Sequence, residues 1–255
     1  MNDAPLAGVR RTTWPAGLLR FTGIRVTRRL DSFSNRTRSP RLAFFWVLAG
    51  ALLATSCGSE RAPNAPSPMP GPPPVVRRVV VLGDSLAVSP SVEQSFPSDL
   101  QARISRQGLS WTVTNAGVSG DTTADGLRRV APLLESDVGV LTLELGANDG
   151  LRGIEIATIQ QNLSAIIELA RAKGIRVLLC GMETPPTHGL SYSLAFHELF
   201  PNQATRYGIP LVPFLLAGVV LIPELNGADF VHPNAAGAQQ IADTVWPYLE
   251  PMLRQ

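Results

Sequence analysis

The chain has 255 residues, of which 45% are apolar and 16% are charged, enough to bury the core of one domain or at most two. Its net charge of +2 is unevenly distributed: residues 1–56 contain nine Arg and two Asp, whereas the remaining 199 residues contain 13 basic and 18 acidic residues. Because the basic excess lies in the leading segment and no basic stripe follows it, the composition argues against nucleic acid as a partner.

The leading segment, residues 1–56, has the pattern of an export signal. Residues 42–55 form an uncharged apolar run directly after three Arg, and these 14 residues are fewer than the roughly 20 that a membrane span needs. Small residues then precede Cys57, as they do at a bacterial lipoprotein processing site. We therefore predict an exported chain that a lipid on Cys57 anchors to a membrane. The alternative is an ordinary signal peptide that is simply cleaved.

The next segment, residues 57–75, contains seven prolines and no apolar periodicity. This composition is typical of an extended, semi-rigid spacer. A spacer of this kind would hold a catalytic domain away from the anchoring membrane. The folded domain is therefore predicted to cover residues 76–255.

From residue 76 onward, strand patterns alternate with helix patterns. The predicted strands are residues 79–82, 111–115, 138–145, 176–180 and 211–212, and the predicted helices are residues 96–106, 122–134, 156–172, 191–207 and 235–249. This alternation predicts an α/β fold, a three-layer α/β/α sandwich around a parallel sheet of roughly five strands. In such sheets the active site lies beyond the carboxyl ends of the strands.

Chemistry-bearing residues follow the predicted strands. A serine hydroxyl is a weak nucleophile until a base, usually a histidine oriented by a carboxylate, removes its proton. Among the three histidines, His188, His197 and His232, only His232 has a carboxylate at a suitable spacing, because Asp229 lies three residues before it. Ser85 directly follows the first strand, so these residues are candidates for nucleophilic catalysis.

Rival motifs are missing from the sequence. It contains no G-x-S-x-G elbow, no H-E-x-x-H zinc motif and no glycine-rich phosphate loop. We expect no metal and no organic cofactor, because the serine chemistry needs only protein groups and water. Cys180 ends an apolar run and is expected to be a small buried side chain.

Four blocks resemble the consensus blocks of the SGNH/GDSL hydrolases. They are residues 83–86 (GDSL), 115–122 (NAGVSGDT), 146–149 (GAND) and 229–233 (DFVHP). They occur in the family's order, and the similarity covers roughly residues 77–250. It is strongest to the bacterial branch that contains thioesterase I/lysophospholipase L1 and the arylesterases. The resemblance implies the flavodoxin-like SGNH-hydrolase fold.

The resemblance also implies residue roles. Ser85 matches the nucleophile, His232 the general base and Asp229 its orienting carboxylate. The oxyanion hole is expected from the backbone N–H groups of Ser85 and Gly120 and from the side-chain amide of Asn148. Asp84 is expected to cap the turn at Ser85.

The implied activity is hydrolysis of carboxylic esters with short to medium acyl chains through an acyl-enzyme intermediate. Thioesters and lysophospholipids are further substrates suggested by the similar branch. Two alternatives stay open: a carbohydrate O-acetyl esterase at the cell surface, and a non-catalytic ligand-binding lipoprotein. We expect a monomer whose partner is a small-molecule ester or lipid. The apolar residues 210–223 are interpreted as core and as the wall of an acyl pocket.

Overall fold

The structure of the protein is a computed structural model that describes residues 76–255. The predicted leader (residues 1–56) and spacer (residues 57–75), with Cys57, lie outside the described residues, so the lipid anchor stays a prediction. Within residues 76–255, no helix combines the length and the apolar character needed to cross a bilayer.

Five strands form one parallel sheet. In chain order they are β1 (Arg77–Gly83), β2 (Trp111–Gly117), β3 (Val138–Glu144), β4 (Arg176–Cys180) and β5 (Leu211–Val212). Their order across the sheet is β2-β1-β3-β4-β5, and every neighbouring pair is parallel. The chain therefore starts in the interior of the sheet, adds β2 on one side and then returns to add β3 on the other. Loops at such a reversal diverge and leave room for a ligand between them.

Helices cover both faces of the sheet. They are α1 (Phe96–Arg106), α2 (Thr123–Val130), α3 (Ala147–Arg152), α4 (Ile156–Ala172), α5 (Leu190–Tyr207) and α6 (Ala235–Leu253). The α1 helix packs against α6, whereas α2 packs against α4 and α4 packs against α5. The predicted three-layer α/β/α sandwich with a five-stranded parallel sheet is thereby confirmed.

The strands are apolar because both faces of the sheet are covered. In β1, consecutive residues point to opposite faces, yet Val79, Val80, Val81 and Leu82 are all buried. Full burial of a Val or Leu side chain stabilises the fold by about 1.5–3 kcal/mol. The apolar core therefore fixes the end of β1 and, with it, the position of the turn that begins at Ser85.

Two predicted element boundaries were wrong near the site. The helix predicted over residues 122–134 ends at Val130 and continues only as a 3-10 turn, Ala131–Leu133, because Pro132 has no N–H to extend the α-helical bonding. Residues 146–149, to which the sequence patterns assigned no helix, contain the start of the short helix α3. Its six residues are too few to show a periodicity, and Gly153 closes it in the left-handed conformation at φ 66°.

The last helix also extends past its predicted end. α6 continues to Leu253 rather than to residue 249, although Pro247 and Pro251 lie inside it. Met252 and Leu253 are both buried, so packing of the last turn against the core outweighs the hydrogen bonds that the prolines cannot donate.

Both ends of the described domain lie where the strands begin, which we call the amino end of the sheet; the opposite side is its carboxyl end. The chain enters β1 at Arg77. At the close of α6, the Leu253 carbonyl accepts a hydrogen bond of 2.9 Å from the indole Nε1 of Trp111, the first residue of β2. Neither end of residues 76–255 therefore lies at the carboxyl end of the sheet.

Candidate active site

Ser85 opens a 3-10 turn, Ser85–Ala87, immediately after β1. As expected, Asp84 caps this turn: its Oδ1 accepts the Leu86 N–H at 3.0 Å. The Ser85 carbonyl accepts the hydroxyl of Ser89 at 2.7 Å. These bonds hold the turn tightly, so the Ser85 side chain projects from a fixed backbone at the carboxyl end of the sheet.

The structure brings together the three residues that the sequence singled out for nucleophilic catalysis. The His232 Nε2 atom lies 2.8 Å from the Ser85 hydroxyl, and His232 Nδ1 lies 2.6 Å from Asp229 Oδ2. If Nδ1 carries the proton, it donates to the carboxylate and leaves Nε2 free to accept from Ser85. This arrangement can transfer a proton from the hydroxyl to the imidazole.

The segment between β5 and α6 holds His232 and Asp229 in place. Asp229 Oδ1 accepts the backbone N–H groups of Val231 and His232, each at 3.0 Å. The Gly227 N–H donates to the His232 carbonyl at 2.8 Å and closes the turn. Phe230 adopts a left-handed backbone with φ 57°, which an L-residue with a large side chain adopts only under constraint.

The charges in this pair are well matched. The hydrogen bond with His232, reinforced by the backbone N–H groups of His232 and Val231, holds the pKa of Asp229 well below its usual range. Asp229 is therefore ionised at every pH at which the fold is expected to function. A permanent negative charge at Nδ1 stabilises the imidazolium that forms when His232 takes a proton.

Asn148 reaches the site from a second segment of the chain, the start of α3. Its Nδ2 donates to Asp84 Oδ2 and to the Asp121 carbonyl, each at 3.0 Å. Both partners are acceptors, so the nitrogen, and not the amide oxygen, must face them. The orientation of this amide is therefore fixed in the free protein.

A shallow cleft of about 540 Å³ surrounds these groups. It is lined by Ser85, Ser89, Ser119, Gly120, Asn148 and His232. Gly120 has φ 84°, a conformation that favours glycine, and its carbonyl accepts the Arg152 guanidinium at 2.9 Å. Within the described residues, the backbone N–H groups of Ser85 and Gly120 make no hydrogen bond to another residue. All five residues proposed from the sequence thus lie at or beside one cleft.

Neighbouring acidic residues brace the loops around the cleft. Asp121 pairs with Arg129 at 2.6 Å, and Asp149 accepts the N–H and the hydroxyl of Thr123 at 2.8 and 2.6 Å. Arg129 also donates to the carbonyls of Ala116 and Gly83 at 2.6 and 2.9 Å. This arginine ties β1, β2 and the Asp121 loop together. Sequence analysis did not single it out, because an Arg in a helix ordinarily reads as a solvated side chain.

The two other histidines lie away from Ser85. His188 contacts the Leu151 carbonyl at 3.0 Å, and His197 pairs with Glu183 at 2.7 Å. No three His, Cys, Asp or Glu side chains of residues 76–255 converge as a metal site requires. Cys180 is buried and unpaired among these residues, as expected.

The interpretation of residues 210–223 as the wall of an acyl pocket was wrong for the cleft described above. Leu215 and Val219 belong to the core, but Leu221 is 76% exposed, and none of these residues lines the cleft around Ser85. The stretch therefore contributes to the core and to the surface rather than to the cleft.

Sequence analysis also missed a buried carboxyl behind the site. Glu144, the last residue of β3, is fully buried, and its Oε2 accepts the Asp84 N–H at 3.2 Å. A usable signal was present: Glu144 is the one charged residue in an otherwise apolar or neutral strand, Val138–Glu144. A carboxyl in such a strand is buried at a cost and needs a specific reason.

Comparison with known proteins begins with a family model. The GDSL-like lipase/acylhydrolase family matches residues 81–240. The match includes all five residues that line or approach the cleft and were proposed from the sequence. It starts within β1 and ends within α6.

Individual relatives agree with the family match. The chain is 39% identical to an esterase, TesA, of Pseudomonas aeruginosa over 178 residues, which are 69% of this chain and 89% of the relative. It is 39% identical to an arylesterase of Vibrio mimicus over 171 residues, 66% of this chain and 86% of the relative. It is 34% identical to thioesterase 1/protease 1/lysophospholipase L1 of Escherichia coli over 177 residues, 69% and 84% of the two chains.

Solved structures share the fold. The crystal structure of TesA superposes with a TM-score of 0.66 at 38% identity and covers 69% of this chain and 99% of the other. The structure of AlinE4, a SGNH-hydrolase family esterase, superposes with a TM-score of 0.57 at 37% identity, covering 69% and 95%. The similarity therefore extends over nearly the whole of each solved chain.

Proposed function

The chain belongs to the GDSL-like lipase/acylhydrolase family and is a serine esterase, and we propose that Ser85 is its nucleophile, His232 its general base and Asp229 the carboxylate that orients His232. The observation that carries this proposal is the continuous series of contacts from Asp229 through His232 to Ser85, at 2.6 and 2.8 Å. A second support is the position of all three at the carboxyl end of a parallel sheet.

The proposed reaction has two steps. As the Ser85 hydroxyl attacks the ester carbonyl, its proton passes to His232 Nε2, and the imidazolium then protonates the departing alcohol. The acyl group is left as an ester on Ser85. A water molecule then attacks this ester, gives its proton to His232, and releases the acid and the free Ser85 hydroxyl.

The negative charge that develops on the carbonyl oxygen needs donors aimed at it. We assign this role to the backbone N–H groups of Ser85 and Gly120 and to the Asn148 amide. Two observations support the assignment: these groups border the same cleft, and the two N–H groups have no other acceptor among the described residues. Asn148 must share or exchange one of its two existing hydrogen bonds when the oxyanion forms. One such donor is typically worth roughly 10²–10³ in rate.

The cleft favours small acyl groups. Its lining consists of serine, asparagine, histidine and glycine, and includes no apolar side chain against which a long acyl chain could pack. We therefore propose short to medium acyl esters as substrates. Aryl esters and thioesters are included, because relatives carry the names arylesterase and thioesterase 1.

The test compares the wild-type protein with Ser85→Ala on p-nitrophenyl acetate, butyrate, octanoate and palmitate. We expect the wild type to cleave the short and medium esters and Ser85→Ala to lose at least about 10³-fold in kcat. Ser119→Ala is the matched control, because Ser119 borders the same cleft and its hydroxyl bonds to neither Ser85 nor His232. Substantial activity of Ser85→Ala would refute the assignment.

The same measurement distinguishes the two alternative functions. Release of acetate from acetylated oligosaccharides without cleavage of longer esters would indicate a carbohydrate O-acetyl esterase. Absence of any turnover, together with saturable binding of an ester, would indicate a ligand-binding protein.

We also propose that the chain is exported and anchored through a lipid on Cys57. The supporting features are the apolar run of residues 42–55 after three Arg, the small residues before Cys57 and the Pro-rich residues 57–75. In a bacterial host, we expect the wild type in the membrane fraction and Cys57→Ser in the soluble fraction, with equal kcat for both. Membrane association of Cys57→Ser would argue against a lipid on this residue.

A further inference from the structure

Two buried carboxyl groups lie side by side behind Ser85. Asp84 and Glu144 are both 0% exposed, and the Asp84 N–H donates to Glu144 Oε2 at 3.2 Å. Burial, followed by the negative charge of Asp84, raises the pKa of Glu144 well above its usual range. Burial therefore favours the neutral form of Glu144.

The end of β1 is shaped around this pair. Glu144 is the direct partner of Gly83 in the register between β1 and β3. A side-chain Cβ at Gly83 would overlap the Glu144 carboxyl and would come within 2.8 Å of Ala87 Cβ. Because residue 83 is a glycine, there is room for the Glu144 carboxyl to reach Asp84.

The pair is connected to the reaction through Asn148. Asp84 uses one oxygen to cap the Ser85 turn through Leu86 and the other to accept the Asn148 amide at 3.0 Å. The proposed steps of the reaction do not use Glu144 directly. Glu144 instead holds the backbone of Asp84, and Asp84 holds the amide of Asn148.

We propose that Glu144 is a positioning residue of the esterase reaction: by fixing Asp84 through hydrogen bonding, it aims the Asn148 amide at the oxyanion. This inference rests on the proposed roles of Ser85 and Asn148. A buried carboxyl that only filled space would be replaceable by an apolar side chain of similar volume at little cost in activity. Replacement of a positioning residue by an apolar side chain would instead lower the activity.

Three variants separate these roles. Glu144→Gln keeps an acceptor for the Asp84 N–H and a neutral group of the same shape, so kcat should stay within about threefold of wild type. Glu144→Met keeps the volume but removes the hydrogen bond, so kcat should fall by roughly 10–100-fold with KM within twofold, because misplacement by about 1 Å can cost 10² in rate. Thr142→Val changes a buried hydroxyl on the same strand and should leave kcat unchanged.

The decisive readout is a double-mutant cycle with Asn148→Ala, measured on p-nitrophenyl butyrate. If Glu144 acts through Asn148, the penalty of Glu144→Met should shrink to within threefold once Asn148 is Ala. Equal penalties in both backgrounds would overturn the proposal, as would a wild-type kcat for Glu144→Met or a loss in Glu144→Gln as large as in Glu144→Met.

Folding is monitored by circular dichroism and thermal unfolding. Should Glu144→Met not fold, Glu144→Asp, which withdraws the carboxyl by one methylene, takes its place in the cycle with the same expected loss. Ser85→Ala separates the two levels of the argument. An active Ser85→Ala would refute the proposed function, whereas an inactive Ser85→Ala with a fully active Glu144→Met would refute only the role of Glu144.

Discussion

One pair of acidic side chains at each end of the sheet shows opposite burial. At the amino end, Arg78 pairs with Glu135 and Asp137 at 2.5 and 2.7 Å, and both carboxylates are largely exposed. At the carboxyl end, Asp84 and Glu144 are fully buried. The same strands supply both ends, so the difference lies in the residues that follow each strand.

Apolar side chains show the reverse distribution. Of the twelve large apolar side chains that are exposed within residues 76–255, ten lie in segments that follow the carboxyl ends of strands or in the first turns of the helices there. The two exceptions are Val76 and Leu169. The carboxyl end therefore combines the buried Asp84–Glu144 pair with exposed apolar side chains, and each of these is the less stable choice. Such a choice is expected where function, not stability, determines the residues.

The presence of a cavity does not by itself distinguish the two ends of the sheet. A hollow of about 400 Å³ lies at the amino end, lined by Arg171, Arg176, Tyr207 and apolar neighbours, with no Ser, His, Asp or Glu. The cleft around Ser85 is somewhat larger, at about 540 Å³, but what sets it apart is that a nucleophile, a base and hydrogen-bond donors converge in it. Chemistry is thus assigned from the converging groups rather than from the volume.

The largest effect within this comparison is expected from the carboxylate of the proposed triad. Asp229→Asn should lower kcat by roughly 10²–10⁴-fold, because an amide at this position favours the wrong imidazole tautomer and cannot stabilise the imidazolium. Glu183→Gln is the matched control, since Glu183 pairs with His197 at 2.7 Å at the same end of the sheet without contacting Ser85. Steady-state kinetics on p-nitrophenyl butyrate would measure both. Equal losses in the two variants would contradict a specific role for Asp229.

A smaller effect concerns the acid limb of the pH profile. Burial raises the pKa of Asp84 to about 6, opposed by hydrogen bonds from Leu86 and Asn148 and by the charge of His232, while Asp121 acts in the same direction as burial. Glu144 also faces Asp84, and burial raises the pKa of Glu144 well above its usual range. Asp84 is thus ionised, and holds Asn148 most strongly, above about pH 6.

The acid limb of the profile tests this assignment. As pH falls through about 6, protonation of Asp84 weakens its hydrogen bond with the Asn148 amide. The value of kcat/KM should therefore fall below about pH 6 in the wild type, and the part of this fall that is due to Asp84 should be absent in Asp84→Asn. An acid limb of the same shape in both proteins would show that the charge of Asp84 does not matter to the reaction.

Protonation of Asp84 affects stability and activity in opposite directions: the fold becomes more stable as Asp84 gains its proton, whereas the reaction is expected to slow. The native state binds a proton more tightly than the unfolded chain, so the favourable contribution is complete below the unfolded pKa of about 4 and is lost as pH rises through about 6. At neutral pH the buried charge of Asp84 is a net cost to the fold, in keeping with a residue retained for activity.

The smallest effect is expected at the amino end. Arg78→Ala breaks two ion pairs whose carboxylates are exposed, so the free energy of unfolding should fall by no more than about 1 kcal/mol. The kcat for p-nitrophenyl butyrate should not change. Urea unfolding and kinetics on the same samples would measure both, and a loss of kcat at unchanged stability would show that the two ends are coupled.

Sequence patterns were sufficient for the elements that bury a regular face. The predicted helices over residues 96–106 and 156–172 and the short strand at residues 211–212 match the structure at both ends. Patterns were insufficient where packing or a single turn decides: α3 is too short for a period, and the end of α6 is held by the burial of Met252 and Leu253.

The site was predictable to the same degree. Spacing links Asp229 to His232, and the four blocks indicate Ser85, Gly120 and Asn148, but no local pattern places Glu144 beside Asp84. Those two residues are 60 positions apart and meet only because β3 lies next to β1. Contacts that depend on the order of the strands in the sheet cannot be predicted from a single sequence unless that order is known.

The position of both chain ends decides how the enzyme can be held. Because Arg77 and Leu253 lie at the amino end of the sheet, a resin, an electrode or a fused protein attached at either end of the described domain meets the side away from Ser85. The cleft then opens outward from its support. Immobilisation at either end of residues 76–255 therefore leaves the cleft open to dissolved esters.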